Sequence, residues 1–187
     1  MYISKLSFTK RQFALIKGYD RYILHQYVSN IFDESCQFWI DDKKEFVDVI
    51  VYSTSTSKVN PIECVVKTKE FKKDLSVGLF GKIKCTTNIA KTGKNKNEKI
   101  PIVKSDEVIE WILKNQECWG IKVNQKSILL NDLHTISTKK KFNSWKIVYR
   151  DIEFGYEISD SEKFRCMLQN GIGKSKKFGF GLIRLSN

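Results

Sequence analysis

Four of the ten glycines of this 187-residue chain lie close together near its carboxyl end, in Gly171–Gly181. The stretch reads Gly-Ile-Gly-Lys-Ser-Lys-Lys-Phe-Gly-Phe-Gly. Glycines let a backbone approach a ligand closely, and the N–H groups and three lysines present positive potential. A predicted helix before the stretch and the apolar run Leu182–Leu185 after it would hold the loop on both sides. The pattern predicts a loop that binds a polyanion, with a simple turn between a helix and a last strand as the alternative.

The charge of the whole chain also favours a polyanionic partner. The sequence has 33 basic and 21 acidic residues and a formal net charge of +12. Such an excess indicates nucleic acid rather than an acidic small molecule, with a membrane surface as the rival. No apolar run approaches the roughly 20 residues that a spanning helix needs, and no charged-then-apolar leader opens the chain. We therefore expect a cytoplasmic protein that does not enter a membrane.

Cysteine and histidine spacing gives no sign of a metal site. The five cysteines are scattered singly with no C-x-x-C pair, and the two histidines, His25 and His134, lie near none of them in sequence. An odd, dispersed set of cysteines is typical of reduced and mostly buried thiols. Neither H-E-x-x-H nor H-x-E occurs, so the common zinc motifs are excluded. We expect chemistry that uses no metal and no cofactor.

One helix stands out in the first half of the chain. A polar link that contains Gly18 precedes it, and Asp20 is placed to cap a helix through Phe32. The apolar residues Leu24, Val28 and Ile31 recur at helical spacing on one face. At about 100° per residue, Tyr22 and His25 lie away from that face and point outward together. A tyrosine and a histidine one turn apart are, on spacing alone, more often a pair without function than a catalytic pair.

Predicted strands surround this helix and two later ones. In the first half the strands are Tyr2–Phe8, Gln37–Ile40, Phe46–Tyr52, Ile62–Thr68 and Val77–Asn88, the last closing a first sheet. In the second half they are Ile121–Leu130, Trp145–Ile158 and Leu182–Leu185. Ser105 is predicted to cap a helix through Cys118, and Ser159 with Glu162 forms a capping box for a helix that ends at Gly171. Lys91–Lys99 has no apolar residue and is predicted to be a solvated loop, with phosphate contact as the alternative.

The glycine-rich stretch resembles the signature of CRISPR repeat-processing endoribonucleases, most of all those of the CasE type. In that type the loop typically reads GIGxGKxFGxG, which the chain matches at Gly171, Ile172, Gly173, Lys176, Phe178, Gly179 and Gly181. Ser175 departs from the pattern by adding a Cβ where the family usually has none. The resemblance extends to Met1–Leu6, Leu79–Ala90 and Val108–Gly120, and so spans most of the chain.

The order of the elements resembles two βαββαβ units in tandem, which is the arrangement of that family. Periodicity alone supports only an α+β fold. We therefore predict an α+β protein with two tandem ferredoxin-like (RRM-like) domains. The first would cover residues 1–90, a basic linker residues 91–104, and the second, with the glycine-rich loop, residues 105–187.

The resemblance implies a metal-independent endoribonuclease that cuts each CRISPR repeat at the 3′ base of its hairpin. The ribose 2′-OH would attack the adjacent phosphorus and leave a 2′,3′-cyclic phosphate or related 3′ end and a 5′-hydroxyl. The family carries a tyrosine and a histidine at the positions of Tyr22 and His25, and Gln26 stands where a basic residue often follows that histidine. Tyr22 would polarise the 2′-OH, His25 would transfer the proton, and Lys176 would stabilise the charge on the phosphate.

The same resemblance implies the partners: the repeat hairpin, on which the enzyme stays, and the subunits of a Cascade surveillance complex, with no membrane and no small-molecule cofactor. The residues expected to bind RNA are Gly171, Gly173, Lys174, Ser175, Lys177, Lys139, Lys140 and Lys141. Two alternatives remain: a non-catalytic module that binds an RNA hairpin, and a CRISPR repeat nuclease of another subtype. No run resembles the aromatic signature of an RRM, and no pair of helices suggests a DNA-binding repressor.

Overall fold

The computed structural model describes residues 1–32, 36–93, 99–140 and 143–186, with backbone alone at 138–140 and 143–145. The chain folds into two compact units. The first consists of Met1–Lys73, Ser137–Trp145 and Lys176–Phe180, and the second of Asp74–Ile136, Lys146–Ser175 and Gly181–Asn187. No helix in the described ranges is long and apolar enough to cross a membrane.

The first unit is built on a four-stranded antiparallel sheet with two helices. Its elements are β1 (Tyr2–Thr9), α1 (Lys10–Leu15), α2 (Arg21–Ile31), β2 (Gln37–Asp42), β3 (Phe46–Ser53) and β4 (Val65–Glu70). The strands lie in the order β2-β3-β1-β4. Alternate residues of β1 and β3, such as Leu6 opposite Val49, form an apolar face that the buried residues of α2 cover. Each fully buried aliphatic side chain contributes about 1.5–3 kcal/mol, so this face fixes α2 on the sheet.

A short helix, α1, occupies part of the segment that was predicted as a polar link, and that prediction was wrong. Thr9 caps it, and Thr9 and Gln12 form a capping box. Its one buried residue, Phe13, is 0% exposed and packs edge-on against Phe8 with ring centroids 5.5 Å apart. The spacing of Thr9 and Gln12 was the available sequence signal, and an aromatic anchor was enough to hold six residues in a helix.

The second sheet and two helices form the second unit, apart from residues 137–145, which belong to the first unit. Its elements are β5 (Phe80–Thr87), β6 (Ala90–Thr92), β7 (Lys99–Pro101), α3 (Ser105–Asn115), β8 (Ile121–Val123), β9 (Leu129–Leu130), β10 (His134–Lys140), β11 (Asn143–Ile158), α4 (Ser161–Asn170) and β12 (Arg184–Ser186). The sheet order is β10-β11-β5-β12, and β8 and β9 also pair with β11. Phe164 of α4 lies 5.0 Å from Tyr156 of β11, ring to ring, so α4 packs on the apolar face of the sheet.

The strand predicted to close the first sheet belongs to the second. β5 pairs with β11 and β12, with Ile83 opposite Phe154 and Leu185. Residues 74–90 therefore lie in the second unit, whereas the predicted division placed them in the first domain. Alternation of buried residues shows which face of a strand is covered, but it carries no information on which strand pairs with it. The predicted loop Lys91–Lys99 contains the ends of β6 and β7, and residues 94–98 lie outside the described ranges.

Two predicted helix caps are wrong by one residue. α3 begins at Ser105 itself, after Lys104, and no side chain caps it. α4 is capped by Asp160 rather than Ser159, because the Asp160 carboxylate accepts hydrogen bonds from the N–H groups of Glu162 and Lys163, both at 3.0 Å. An ionised carboxylate at this position also faces the positive end of the helix dipole, which favours it over a serine hydroxyl.

Both sheets have the strand order of a ferredoxin-like unit. Around the second sheet the series β5, α3, β10, β11, α4 and β12 is a complete βαββαβ, with its second strand preceded by the short β8 and β9. In the first unit the segment 54–64 between β3 and β4, all of which is described, forms no helix. The first unit is therefore a ferredoxin-like sheet whose second helix is replaced by irregular chain.

Candidate functional site

The helix α2 is positioned by its cap and by its apolar face. The Asp20 carboxylate accepts hydrogen bonds from the backbone N–H of Tyr22 at 2.9 Å and of Ile23 at 3.2 Å, as the sequence predicted. Leu24 and Val28 are 0% exposed and pack into the first core. A capped first turn above a buried stripe holds the first two turns rigidly, which is what a catalytic side chain requires.

Tyr22 and His25 lie on the side of α2 away from that core, and both are partly exposed. The Nδ1 atom of His25 is 3.3 Å from the Oγ atom of Ser29, one turn further along the helix. Residues four apart are neighbours on a helix surface, so this contact orients the imidazole without bending the backbone. Gln26 is exposed.

The end of the glycine-rich loop packs on α2 within the first unit. Lys176–Phe178 forms a single 3₁₀ turn that contacts α2 and β2. The guanidinium of Arg21 lies over the Phe180 ring, 5.5 Å from its centroid, in cation–π geometry. Gly179 has a φ angle of +78°, and a Cβ built there would lie 2.6 Å from Cε2 of Phe38. Only glycine allows the loop to approach β2 and α2 this closely.

The structure therefore brings the turn that carries Lys176 onto the helix that carries Tyr22 and His25. Lys176 is partly exposed and its neighbour Lys177 is exposed. An imidazole, a phenol and an ammonium group in one region can move a proton, hydrogen-bond a hydroxyl and stabilise an anion. The predicted site residues included neither Arg21, which contacts Phe180, nor Ser29, which contacts His25. The spacing of Ser29, four residues after His25, was a sequence signal for the second of these contacts.

The first half of the loop, Gly171–Ser175, belongs to the second unit. The backbone N–H of Lys174 donates to the carbonyl of Asn88 at 2.7 Å, and the Ser175 hydroxyl donates to Oδ1 of Asn88 at 3.3 Å. At Gly173 a Cβ would collide with Thr87 and with the Asn88 carbonyl. No sequence pattern pointed to Asn88, because its role depends on residues more than 80 positions away.

The contacts of Ser175 show how the loop accommodates a serine where the CasE-type pattern has glycine. Its φ angle is +57°, in the left-handed region where glycine is the usual residue. A serine pays about 1 kcal/mol or more for this conformation. The hydrogen bond from its hydroxyl to Asn88 offsets part of that cost, since a typical net contribution is about 0.5–1.5 kcal/mol.

The remaining predicted residues lie elsewhere in the chain. Lys139 and Lys140 belong to β10, at the end of that strand that lies in the first unit, and Lys141 lies outside the described residues. His134 is exposed at the start of β10, where its ring lies 5.5 Å from that of Tyr149. Across the part of the chain that the structure describes, no group of three or more His, Cys, Asp or Glu residues is placed to hold a metal ion.

Comparison with known proteins gives consistent matches over the whole chain. A model of a family described as CRISPR associated protein matches residues 1–186. The chain is 26% identical over 210 residues to the CRISPR system Cascade subunit CasE of Escherichia coli strain K12, covering 100% of this chain and 99% of that protein.

Solved structures agree with the fold. Thermus thermophilus Cse3, bound to an RNA representing a pre-cleavage complex, superposes with a TM-score of 0.84 at 15% identity, covering 100% of this chain and 98% of that one. The crystal structure of Cas6e from Escherichia coli K-12 superposes with a TM-score of 0.71 at 24% identity, covering 100% and 99%. These likenesses confirm the predicted α+β fold with tandem ferredoxin-like domains.

Proposed function

Because this chain belongs to the family of CRISPR-associated proteins, we propose that it is an endoribonuclease that binds and cuts the repeat hairpin of CRISPR precursor RNA. The observation that carries the proposal is the packing of the Lys176 turn onto the helix of Tyr22 and His25. Its relatives supply the substrate class, since one is a Cascade subunit and another was solved with a pre-cleavage RNA. By the same reasoning we propose a cytoplasmic protein that works with the subunits of a Cascade-type complex.

The reaction needs neither a metal ion nor a water molecule, because RNA carries its own nucleophile. The 2′-oxygen loses its proton and forms a bond to the adjacent phosphorus, and the bond from phosphorus to the 5′-oxygen breaks. The 5′-oxygen then takes up a proton. The products are a 2′,3′-cyclic phosphate and a 5′-hydroxyl. The protein must remove one proton, deliver another and stabilise the negative charge on the phosphate oxygens.

Three side chains can carry out those tasks together. His25 carries an imidazole, which can take up the proton that the 2′-OH loses and give a proton to the leaving 5′-oxygen. Its Nδ1 atom is engaged with Ser29, so we assign the transfer to Nε2. Tyr22, one turn away, hydrogen-bonds the 2′-OH or the oxygen beside it. Lys176 binds the scissile phosphate and stabilises the charge that builds up on it.

The other predicted residues hold the RNA. Lys174, Lys177 and the lysines at 139–141 contact phosphates, and Gly171, Gly173 and Ser175 let the loop backbone come close to the RNA. Contacts of this kind read the shape of an A-form stem rather than its sequence and give affinity that depends on salt. Tight product binding follows, and an enzyme that remains on its product needs only one turnover.

Single-turnover cleavage of a repeat hairpin RNA in EDTA tests the proposal. We expect one cut at the 3′ base of the stem with a cyclic phosphate end, and a single 2′-deoxy substitution just upstream of the cut should block it. Uncut RNA that is nevertheless bound tightly would identify the chain as a non-catalytic hairpin-binding module. Cleavage that continues past the 2′-deoxy substitution would exclude the 2′-OH as the nucleophile.

His25→Ala tests the assignment of the proton carrier. Loss of general acid–base catalysis typically costs about 10²–10⁴ in rate, while hairpin affinity should stay within a few-fold of the original. The matched control is His134→Ala, which removes the other histidine of the chain, exposed in the second unit. Equal cleavage rates for the two variants would contradict the assignment.

A further inference from the structure

Arg150 of β11 is a buried cation that pairs with no anion among the residues that the structure describes. Its side chain is 7% exposed, and its Nε and Nη1 atoms are buried without a hydrogen-bond partner. The ion pairs found among the described residues do not include it. A guanidinium group does not lose its proton in proteins, so it cannot escape the cost of burial by becoming neutral. Buried donors without partners are rare in folded proteins, and each one calls for an explanation such as an absent ion or ligand.

The position of Arg150 indicates what that ligand touches. Arg150 lies opposite Thr87 of β5, and residues directly opposite each other on antiparallel strands project from the same face. Ile152 and Phe154, two and four residues further along β11, lie on the same face and are buried in the apolar core of the second unit. At its other end this face contacts the glycine-rich loop, because the Thr87 hydroxyl donates a hydrogen bond to the carbonyl of Ile172 at 3.2 Å. Arg150 therefore stands at the end of the core, beside the first residues of the loop.

We propose that Arg150 is an anion-binding residue at the root of the glycine-rich loop and that its ligand is a phosphate group of the bound RNA. The choice of RNA rests on the function proposed above. A planar guanidinium suits phosphate better than a lysine does, because it can donate two parallel hydrogen bonds to two oxygens. Lys174 is exposed on the same loop segment and supplies a second positive group there. Its backbone N–H donates a hydrogen bond to Asn88, the residue after Thr87.

This role predicts opposite effects on stability and on binding. An arginine kept for structure makes the free protein more stable, whereas an uncompensated buried charge makes it less stable until an anion arrives. Replacing Arg150 by methionine, which has a similar length and no charge, should therefore stabilise the free protein and lower its affinity for RNA. No purely structural role gives that combination.

The experiment compares three variants with the unchanged protein. Arg150→Met removes the charge, Arg150→Lys keeps the charge but loses the planar group, and Arg165→Met is the control, since Arg165 is exposed on α4 in the same unit. Thermal midpoints are measured in an anion-poor buffer, with sodium sulfate as the probe and sodium chloride at equal ionic strength as its control. Hairpin affinity is measured over a range of salt concentrations.

Arg150→Met should raise the thermal midpoint by about 2–4 °C or more, which corresponds to removing about 1 kcal/mol of destabilisation in a chain of this size. Sulfate should stabilise the unchanged protein, saturably and beyond the effect of chloride, but not this variant. Its hairpin affinity should fall by about 10–100-fold, with a salt slope smaller by about one. The hairpin affinity of Arg150→Lys should lie between those of the unchanged protein and Arg150→Met. Arg165→Met should bind the hairpin within about threefold of the unchanged protein.

Two outcomes would overturn the proposal. A lower melting temperature for Arg150→Met would make Arg150 a structural residue, and an unchanged hairpin affinity would remove RNA as its ligand even if sulfate stabilises the protein. If the proposed endoribonuclease function is itself wrong, the unchanged protein will neither cut nor bind the hairpin, which distinguishes that result from the two above. The sulfate measurement in the free protein does not depend on that function and still tests whether Arg150 takes an anion.

Discussion

Replacing Gly179 by alanine should detach the Lys176 turn from the helix that carries Tyr22 and His25. Gly179 has a φ angle of +78°, and the added methyl group would lie 2.6 Å from Cε2 of Phe38 and 2.9 Å from Nη1 of Arg21. The end of the Arg21 side chain can move aside, but Phe38 is 0% exposed in the first core and cannot. The loop must shift instead.

The structure sets the size of the effect. An alanine in the left-handed region costs about 1–2 kcal/mol, and an extra carbon forced into a packed core costs about 1–3 kcal/mol. Together they predict a loss of about 2–5 kcal/mol in the free energy of unfolding if the loop stays in place. If it moves to relieve the clash, a displacement of about 1 Å at a reacting group can slow the chemical step by about 10²-fold.

Gly78 provides a matched control for this substitution. Its φ angle is +88°, but a Cβ there would meet nothing within 4 Å. Gly78→Ala should therefore cost only the backbone term, about 1–2 kcal/mol, and leave cleavage unchanged. The assay is denaturant unfolding of both variants, followed by single-turnover cleavage of hairpin RNA under conditions where each is fully folded. If Gly179→Ala cuts as fast as Gly78→Ala, the close approach of the loop to α2 has no role in catalysis.

Three further measurements test other parts of the structure. Lys176→Ala should lower both the cleavage rate and hairpin affinity, and an unchanged salt slope would argue against contact with a phosphate. Burial alone would raise the pKa of Asp48, but hydrogen bonds from Lys43 at 2.8 Å and from Ser7 at 2.6 Å outweigh it and lower that pKa. The contribution of Asp48 to the free energy of unfolding is therefore present at neutral pH and is lost as pH falls through the lowered pKa. Asp48→Asn should thus cost about 1–3 kcal/mol of unfolding free energy at pH 7 and little in strong acid, and an equal loss at both pH values would contradict this reasoning. Burial raises the pKa of the Cys64 thiol to about 11, so iodoacetamide at pH 8 should label exposed Cys118 at least tenfold faster, as peptide mass spectrometry would show.

The elements of the fold that depend on neighbouring residues were predictable. The cap at Asp20 and the stripe of Leu24 and Val28 follow from a period of 3.6 residues, and they also place Tyr22 and His25 on the outer side of α2. The misplacement of β5 has the opposite origin. Its partner in the second sheet, β11, follows more than 50 residues later, and an alternating strand pairs equally well with any apolar neighbour.

The sequence by itself determined which groups are available for chemistry: the outward tyrosine and histidine, the basic glycine-rich loop and the excess of positive charge. Only the tertiary structure decided how they are grouped. It divides the loop after Ser175, so that Lys174 is held by Asn88 in the second unit while the Lys176 turn packs on α2 in the first. It also buries Nε and Nη1 of Arg150 without a hydrogen-bond partner in the part of the chain that is described. Contacts between residues distant along the chain depend on strand register and on the space left by packing, and neither is encoded in any short stretch of sequence.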